Sequence, residues 1–379
     1  MTLHDLREQI DALDEELVSL LLKRFSCALS IAEIKRQENL PILNQARENE
    51  VLEKILSRSG SYQDEMQLLF STIMDISRSI QQQAVVVNQP AFDAIAMAET
   101  TLPLLKESDK IACQGVFGSF SSEAAGFLFP GSTPVFYQTF EDVFDSVENR
   151  QAMFGIVPIE NSSAGSVSEV YDLLLKYRFF ITSAASIKIH HCLVCCQNSS
   201  LSEIKEIYSH PQALSQCSSF LKKHQLTSIP DSNTAAAAKK INELQDPKKA
   251  AICSKDAAKK YGLKILLENI QNQTNNYTRF IAISREPFAG KGANKISICF
   301  SLPHKSGSLY KILSRFASVG LNLTKIESRP IPEKSFEYFF YLDFSGNLNS
   351  DRTAQLIRSL SAEIPNFSFL GNYTESTYS

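Results

Sequence analysis

The sequence predicts a multidomain chain: an all-α N-terminal unit, an α/β unit of two lobes, and a small C-terminal α+β unit. Three observations predict it. Up to about residue 83 the chain carries almost no Gly or Pro and repeats apolar residues at helical spacing. From Ile111 to about Ser284 short apolar runs alternate with helical segments, the grammar of an α/β layer. After a hinge at Phe288–Asn294, with Gly290 and Gly292, the order is strand, helix, strand, strand, helix, strand. The length of 379 residues, at roughly 150 per domain, also suits two or three domains.

In the first unit, Leu3, Leu6, Ile10, Leu13, Leu17 and Leu20 alternate spacings of three and four, the seam of a helix that packs on other helices. This helix is expected to run to about Lys35. Pro41 interrupts it, a second helix follows from about Asn44 to Leu56, and Gly60 precedes a third from about Gln63 to Gln83. Residues 1–88 therefore form the helical domain. Residues 89–109 lose period and read as a linker or an appended helix.

The α/β domain spans 110–286, with strand-like runs at Ile111–Phe117, Phe154–Ile159, Phe179–Cys196, Glu206–Ser209, Ala250–Cys253 and Arg279–Ile283. The last domain, 295–373, has strands at Lys295–Ser301, Leu321–Glu327, Glu337–Phe344 and Phe367–Gly371. Its helices are Gly307–Val319, closed by Gly320, and Asp351–Ala362. Its βαββαβ order is ferredoxin-like.

Composition narrows the function classes. Net charge is −3, so no basic field gathers nucleic acid or an anionic membrane. No apolar span approaches about 18 residues, and the N-terminus alternates charge with Leu, so neither a membrane helix nor a secretory peptide is expected. The eight Cys are spread along the chain, unlike a disulfide scaffold, which suits a reducing, cytosolic compartment. Cys192-x-x-Cys195 resembles a redox motif, but its strand would alternate the two across a sheet, so they read as buried thiols rather than a redox or metal site. There is no HExxH, paired CxxC or glycine-rich strand–helix fingerprint, so neither a metal nor an organic cofactor is expected.

The helical unit has nine Lys/Arg against fourteen Asp/Glu, and its interest lies in where the cations fall. Arg24 and Lys35, three turns apart, share a helix face about 16 Å apart, near enough for long side chains to grip one small dianion. Arg47 and Glu48 open the second helix, and Ser77 and Gln81 stand at i, i+4 on the third. Arg7 lies about 25 Å from Arg24 along the same helix, so it is a surface residue or serves a partner chain's site.

The pattern Leu6-Arg7-Glu8-x-Ile10-x-x-Leu13-Asp14, Arg24, Lys35, Pro41, Arg47-Glu48 and Ser77-x-x-x-Gln81 resembles the helical, AroQ-type chorismate mutase domain. The resemblance implies an intertwined dimer in which Arg7 reaches the other protomer's site. It makes Arg7 and Arg24 carboxylate ligands, Lys35 and Gln81 donors to the ether oxygen, and Glu48 the partner of the ring hydroxyl. Arg47 and Ser77 complete the pocket. Asn44 stands where Asp is common. A pericyclic rearrangement needs only a compact conformer and stabilised developing charge, which such groups supply.

In the α/β unit, hydroxyl-rich and amide-rich clusters precede helices. Each alone is a cap; several at strand ends suggest a cleft between lobes whose helix starts bind carboxylates. Gly115-x-x-Gly118-Ser119-Phe120-Ser121, Val157-Pro158-Ile159-Glu160-Asn161-Ser162, Ser209-His210-Pro211-Gln212, Asn233-Thr234-Ala235-Ala236 and Thr278-Arg279-Phe280 resemble prephenate dehydratase, in family order. The resemblance implies a two-lobed fold like periplasmic binding proteins. Thr278 becomes the main catalytic residue, supported by Asn161, Ser209 and Gln216. Ser119, Ser121, Ser162, Thr234 and Phe280 line the site, and Arg279 is expected to hold a substrate carboxylate. His210 competes as the acid because its pKa is better matched.

Gly307-Ser308-Leu309 and Glu327-Ser328-Arg329-Pro330 resemble the effector loops of ACT domains fused to dehydratases, where the ligand is phenylalanine. Ser308 replaces the usual Ala. The combined resemblance is to bifunctional chorismate mutase/prephenate dehydratases with a C-terminal ACT domain, which make phenylpyruvate for phenylalanine synthesis. The expected partners are chorismate, prephenate and phenylalanine, with a homodimer and the question of tetramers open. Two alternatives remain: arogenate dehydratase activity, and an amino-acid-binding regulator with silent active sites.

Overall fold

The computed structural model describes residues 2–85, 109–273, 275–288, 292–305, 307–331, 337–364 and 366–378. The expected linker 89–109 lies outside them except for Asp109, as does Gly290 of the expected hinge.

The N-terminal unit is three helices: α1 (Leu3–Gln37), α2 (Gln45–Leu56) and α3 (Gln63–Val85). Thr2 opens α1 with a reciprocal capping box to Asp5, and Asn44 caps α2. The packing of α1 is lopsided. Only Ala28 and Ala32 are buried along it, while the seam Leu3, Leu6, Ile10, Leu13, Leu17 and Leu20 is 43–66% exposed. An apolar stripe of that length bare to water lacks the surface that should cover it.

The α/β unit begins with β1 (Lys110–Gln114), α4 (Phe120–Leu128), β2 (Thr133–Tyr137), α5 (Phe140–Glu148), β3 (Phe154–Asn161), β4 (Gly165–Ser166), α6 (Ser168–Tyr177) and β5 (Phe180–Lys188). The chain then crosses into a second lobe. That lobe holds β6 (Cys192–Cys195), β7 (Glu206–Ser209), α7 (Pro211–Gln216), α8 (Ser218–Lys223), β8 (Thr227–Pro230), α9 (Thr234–Leu244), β9 (Lys249–Cys253), α10 (Lys255–Lys260) and β10 (Lys264–Leu267). It returns through β11 (Tyr277–Ser284). The lobes' sheets run β5-β11-β3-β1-β2 and β10-β6-β9-β7-β8. Two α/β lobes joined by two crossovers form a periplasmic-binding-protein-like domain.

The run Phe179–Cys196, expected as one strand, divides into β5 and β6 because the chain changes lobes at Ile189-His190-His191. Cys192 and Cys195 sit on opposite faces of β6, in separate apolar cores, as strand alternation requires. Gly118, at φ +85°, approaches the second lobe so closely that a Cβ would stand 2.9 Å from Ala257 Cα.

The last unit is β12 (Lys295–Ser301), α11 (Ser308–Val319), β13 (Leu323–Pro330), β14 (Tyr338–Ser345), α12 (Asp351–Glu363) and β15 (Ser368–Tyr378), in the sheet order β13-β14-β12-β15. The unit has the expected βαββαβ order. The final strand is longer than expected. Its first half pairs with β12, and Thr374–Tyr378 then runs parallel to β5, so one sheet crosses both units. At this junction Gly371 passes so close to β5 that a Cβ would lie 2.1 Å from the Ile181 carbonyl oxygen. No described helix is long and apolar enough to cross a membrane.

Candidate active sites

In the bundle, the contact of α1 with α3 brings several expected residues together. The half-buried Arg24 guanidinium donates to Ser77 Oγ and to the Ile73 carbonyl at 3.4 Å. Gln81 lies one turn further along α3, 9% exposed, and its Oε1 has no hydrogen bond among the described residues. Lys35 Nζ donates to the Ile42 carbonyl at 2.5 Å, which folds the ammonium back over the α1–α2 connection. Glu48 faces α3, where Arg78 Nε stands 3.3 Å from its carboxylate and Arg78 also pairs with Asp75. Arg78 and Asp75 escaped the sequence reading, although opposite charges at i, i+3 were the available signal.

Other expected residues are placed differently. Arg47 turns outward to Glu50 at 2.6 Å, with its side chain 61% exposed. Asn44 Oδ1 accepts from the Arg47 backbone N–H at 3.0 Å, so Asn here makes the cap that an Asp would make. Arg7 is exposed, about 25 Å along the helix from Arg24, and a single chain does not bring it to the others.

Between the two lobes lies a cavity of about 540 Å³. Ser119 and Ser121 line it from the start of α4, Asn161 from the end of β3, Gln216 from the end of α7, and Thr234 from the start of α9. Thr278 and Phe280 line it from β11. Asn161 and Thr278 are register partners. Asn161 Oδ1 accepts from the N–H groups of Ser163 and Ala164, both at 3.0 Å, and this fixes the amide. Its Nδ2 is left to donate to Thr278 Oγ1 at 2.8 Å and to Asn276 Oδ1 at 2.9 Å. Thr278 Oγ1 thus accepts, and its own proton remains for another acceptor.

The lining residues include no Lys or Arg. An anion held there meets hydroxyl, amide and helix-start N–H donors instead. Ser119 caps α4 and Asn233 caps α9 through their side-chain oxygens. His210 Nδ1 accepts from Gln212 N–H at 3.3 Å, and burial lowers its pKa; both favour the neutral ring and weaken His210 as the acid.

Three expectations are corrected by placement. Strand alternation sends Thr278 and Phe280 into the cleft and Arg279 to the opposite face, so Arg279 holds no substrate carboxylate there. Its guanidinium is buried 2.5 Å from Asp343 on β14 and 3.5 Å from Glu375 on β15. Ser209 is fully buried and donates to the Ile252 carbonyl at 2.7 Å, behind the cleft wall. Ser162 Oγ accepts from Tyr277 N–H at 2.9 Å and ties the ends of β3 and β11 rather than lining the cavity. Conversely, Ser166 and His191 line the cleft and were not anticipated. A histidine closing an apolar strand at the lobe crossing was the only sequence signal for the latter.

The expected effector residues fall into two groups. Gly307 (φ +77°) opens α11, and Ser308 and Leu309 line a cavity of about 280 Å³ with Pro303, Tyr338 and Phe340. On β13, Glu327 and Arg329 face the α/β unit: Glu327 accepts from Ser166 Oγ at 2.6 Å, and Arg329 pairs with Asp172 at 2.9 Å. Ser328 and Pro330 alternate to the exposed face. Arg329 and Pro330 line a second cavity, of about 560 Å³, so one chain does not join the two groups around one space.

Comparison with known proteins finds family matches for the helical unit and the α/β unit. Residues 111–288 match the prephenate dehydratase family, and residues 6–82 match type II chorismate mutase. The solved structure of prephenate dehydratase from Arthrobacter aurescens in complex with L-Phe is 33% identical, with a TM-score of 0.64, covering 70% of this chain and 90% of that one. A structure described as GqqA, a novel type of quorum quenching acylase, is 30% identical with a TM-score of 0.64, covering 70% and 97%. The bifunctional chorismate mutase/prephenate dehydratase of Aquifex aeolicus (strain VF5) is 33% identical over 378 residues, 99% of this chain and 98% of its own. With a mutase domain and a dehydratase domain in one polypeptide, this chain belongs to the bifunctional chorismate mutase/prephenate dehydratase family.

Proposed function

We propose that the helical unit rearranges chorismate to prephenate by cations and fixed hydrogen-bond donors, and that the interlobe cleft converts prephenate to phenylpyruvate by fixed hydrogen-bond donors. In the bundle, Arg24 grips a carboxylate, Lys35 and Gln81 donate to the ether oxygen as its negative charge grows, and Glu48 holds the ring hydroxyl. Arg7 completes the site from a second copy. The exposed leucine seam of α1 supports that homodimer, since a partner's α1 would cover it.

In the cleft, the ring carboxylate leaves as CO₂ and its electron pair fills the ring as the C–O bond breaks. The hydroxyl departs as water with the Thr278 proton, and solvent returns a proton to Thr278 Oγ1, so one proton is taken up per turnover. The observation that carries this reading is the 2.8 Å contact in which Asn161 donates to Thr278 Oγ1, which polarises the hydroxyl and aims its proton elsewhere. Incubation of the full chain with chorismate, followed by phenylpyruvate absorbance, tests both halves together.

The arogenate alternative differs by an ammonium group on the side chain. The described lining of the cleft offers no Asp or Glu to pair with it, which favours the keto acid. The βαββαβ unit reads as an ACT domain whose ligand is phenylalanine. Its two separated groups, Gly307–Leu309 and Glu327–Pro330, suit an effector held between two copies. Contacts of Glu327 and Lys325 with Ser166 Oγ link that strand directly to the cleft. Rates of each reaction with and without phenylalanine test the regulatory half.

A further inference from the structure

His191 occupies the first of the two crossovers between the lobes. Its backbone N–H donates to Gln271 Oε1 at 3.0 Å on the second crossover, and its carbonyl accepts from Ile270 N–H at 3.1 Å. The backbone of His191 is therefore tied to the second crossover. It is 2% exposed, lines the cleft, and meets Phe120 edge-on at 6.2 Å. Its Nε2 stands 2.9 Å from Gln216 Oε1, while Nδ1 has no hydrogen bond among the described residues. Burial pulls the ring below its ordinary pKa, so it is neutral near pH 7, with its single proton on the nitrogen that has an acceptor.

A carboxamide has two faces of opposite sign, and rotation by half a turn exchanges them. In a cleft whose described lining has no Lys or Arg, which face Gln216 presents decides whether a carboxylate meets N–H donors or a repelling carbonyl. We propose that His191 is a positioning residue of the dehydratase: its Nε2–H holds Gln216 Oε1 and so turns the Gln216 amide N–H groups toward the substrate. This rests on the reading of the cleft as the dehydratase site. It assigns His191 no contact with the reacting atoms, and its action passes through Gln216.

The test uses the full chain with prephenate, the mutase rate serving as an internal measure of intact protein. His191→Phe keeps the ring volume and the Phe120 contact but removes the donor; about a ten- to hundredfold loss of dehydratase kcat/KM is expected. His191→Gln restores an N–H donor at the same reach and should recover most of the loss. In a Gln216→Ala background, His191→Phe should cost almost nothing further. Equal losses in the two backgrounds, or equal losses for Phe and Gln at 191, would overturn the proposal, as would an undiminished His191→Phe enzyme. Absence of prephenate turnover in the unaltered chain would instead defeat the reading of the cleft itself.

Discussion

Asn161 Nδ2 lies 2.8 Å from Thr278 Oγ1 across the end of the β3–β11 pairing, and the direction of that hydrogen bond is fixed by backbone donors on the far side of the Asn amide. The threonine hydroxyl is an acceptor toward Asn161, so its proton is free for the cleft. A hydroxyl with so high an intrinsic pKa becomes a useful donor in a concerted step only when aligned in this way.

Replacing the donor with an acceptor should reverse that arrangement. In Asn161→Asp the carboxylate accepts a hydrogen bond from the Thr278 hydroxyl and turns its proton away from the cleft, and dehydratase kcat should fall by about a hundredfold or more while mutase turnover holds. Parallel assays of both reactions on one preparation check this. Unchanged dehydratase turnover would show that the polarity of the contact is irrelevant.

The bundle site should be shared between chains. Arg7→Ala and Lys35→Ala proteins, each weak alone, should regain mutase activity when mixed and allowed to exchange subunits, because one site of the mixed dimer is intact. If Arg7 is only a surface residue, Arg7→Ala keeps its activity and mixing adds nothing.

Ionisation of Glu123 should lower stability. Burial, and after it the Asp256 carboxylate, push this side chain up to about 7, in a cavity of about 760 Å³ that shares Ser119 with the cleft. Its folded value lies above the ordinary carboxyl value of 4.5, so the folded chain binds that proton more tightly than the unfolded one. Stability from this group is full below about 4.5 and is lost as pH rises through about 7. Thermal melts of Glu123→Gln should therefore exceed those of the parent at pH 8 and match them near pH 4. The reverse order would contradict the assignment.

Among the contacts across the seam between the α/β and βαββαβ units is a buried ion pair. Arg279 and Asp343 are 8% and 6% exposed, and Ser297 adds a hydrogen bond to Asp343 at 2.6 Å. Asp343→Ala leaves the buried guanidinium only the longer contacts to Glu375 and Glu160, at 3.5 and 3.9 Å, and should destabilise the fold by about 2–3 kcal/mol. Glu141→Ala, which breaks the exposed pair with Lys176, should cost less than about 1 kcal/mol. Denaturant unfolding of the two variants separates these cases.

Much of this was legible before any coordinates. The leucine seam announced α1, Pro41 and Gly60 bracketed α2, and the apolar alternations marked most strands of the other units. The resemblance named Asn161, Gln216 and Thr278, and these meet in one cleft. What escaped depends on distant partners. Arg279 follows Thr278 in the motif, and period-two alternation alone would have turned it away; its companion Asp343 lies 64 residues on. Ser209 and Ser162 stand in motif strings but spend their hydroxyls on backbone groups that only the folded sheets bring near. His191 sat in a run that looked like one continuous strand, and the lobe crossing that makes it useful has no local signature. The second half of β15 was unreadable because its partner, β5, belongs to another domain.

The most direct test of the central claim is the product that accumulates from chorismate in Thr278→Ala. The unaltered chain should yield phenylpyruvate, whereas Thr278→Ala should stop at prephenate, formed at the unaltered chain's rate. Phenylpyruvate appearing from the variant as fast as from the parent would show that the Thr278 hydroxyl carries no part of the second reaction.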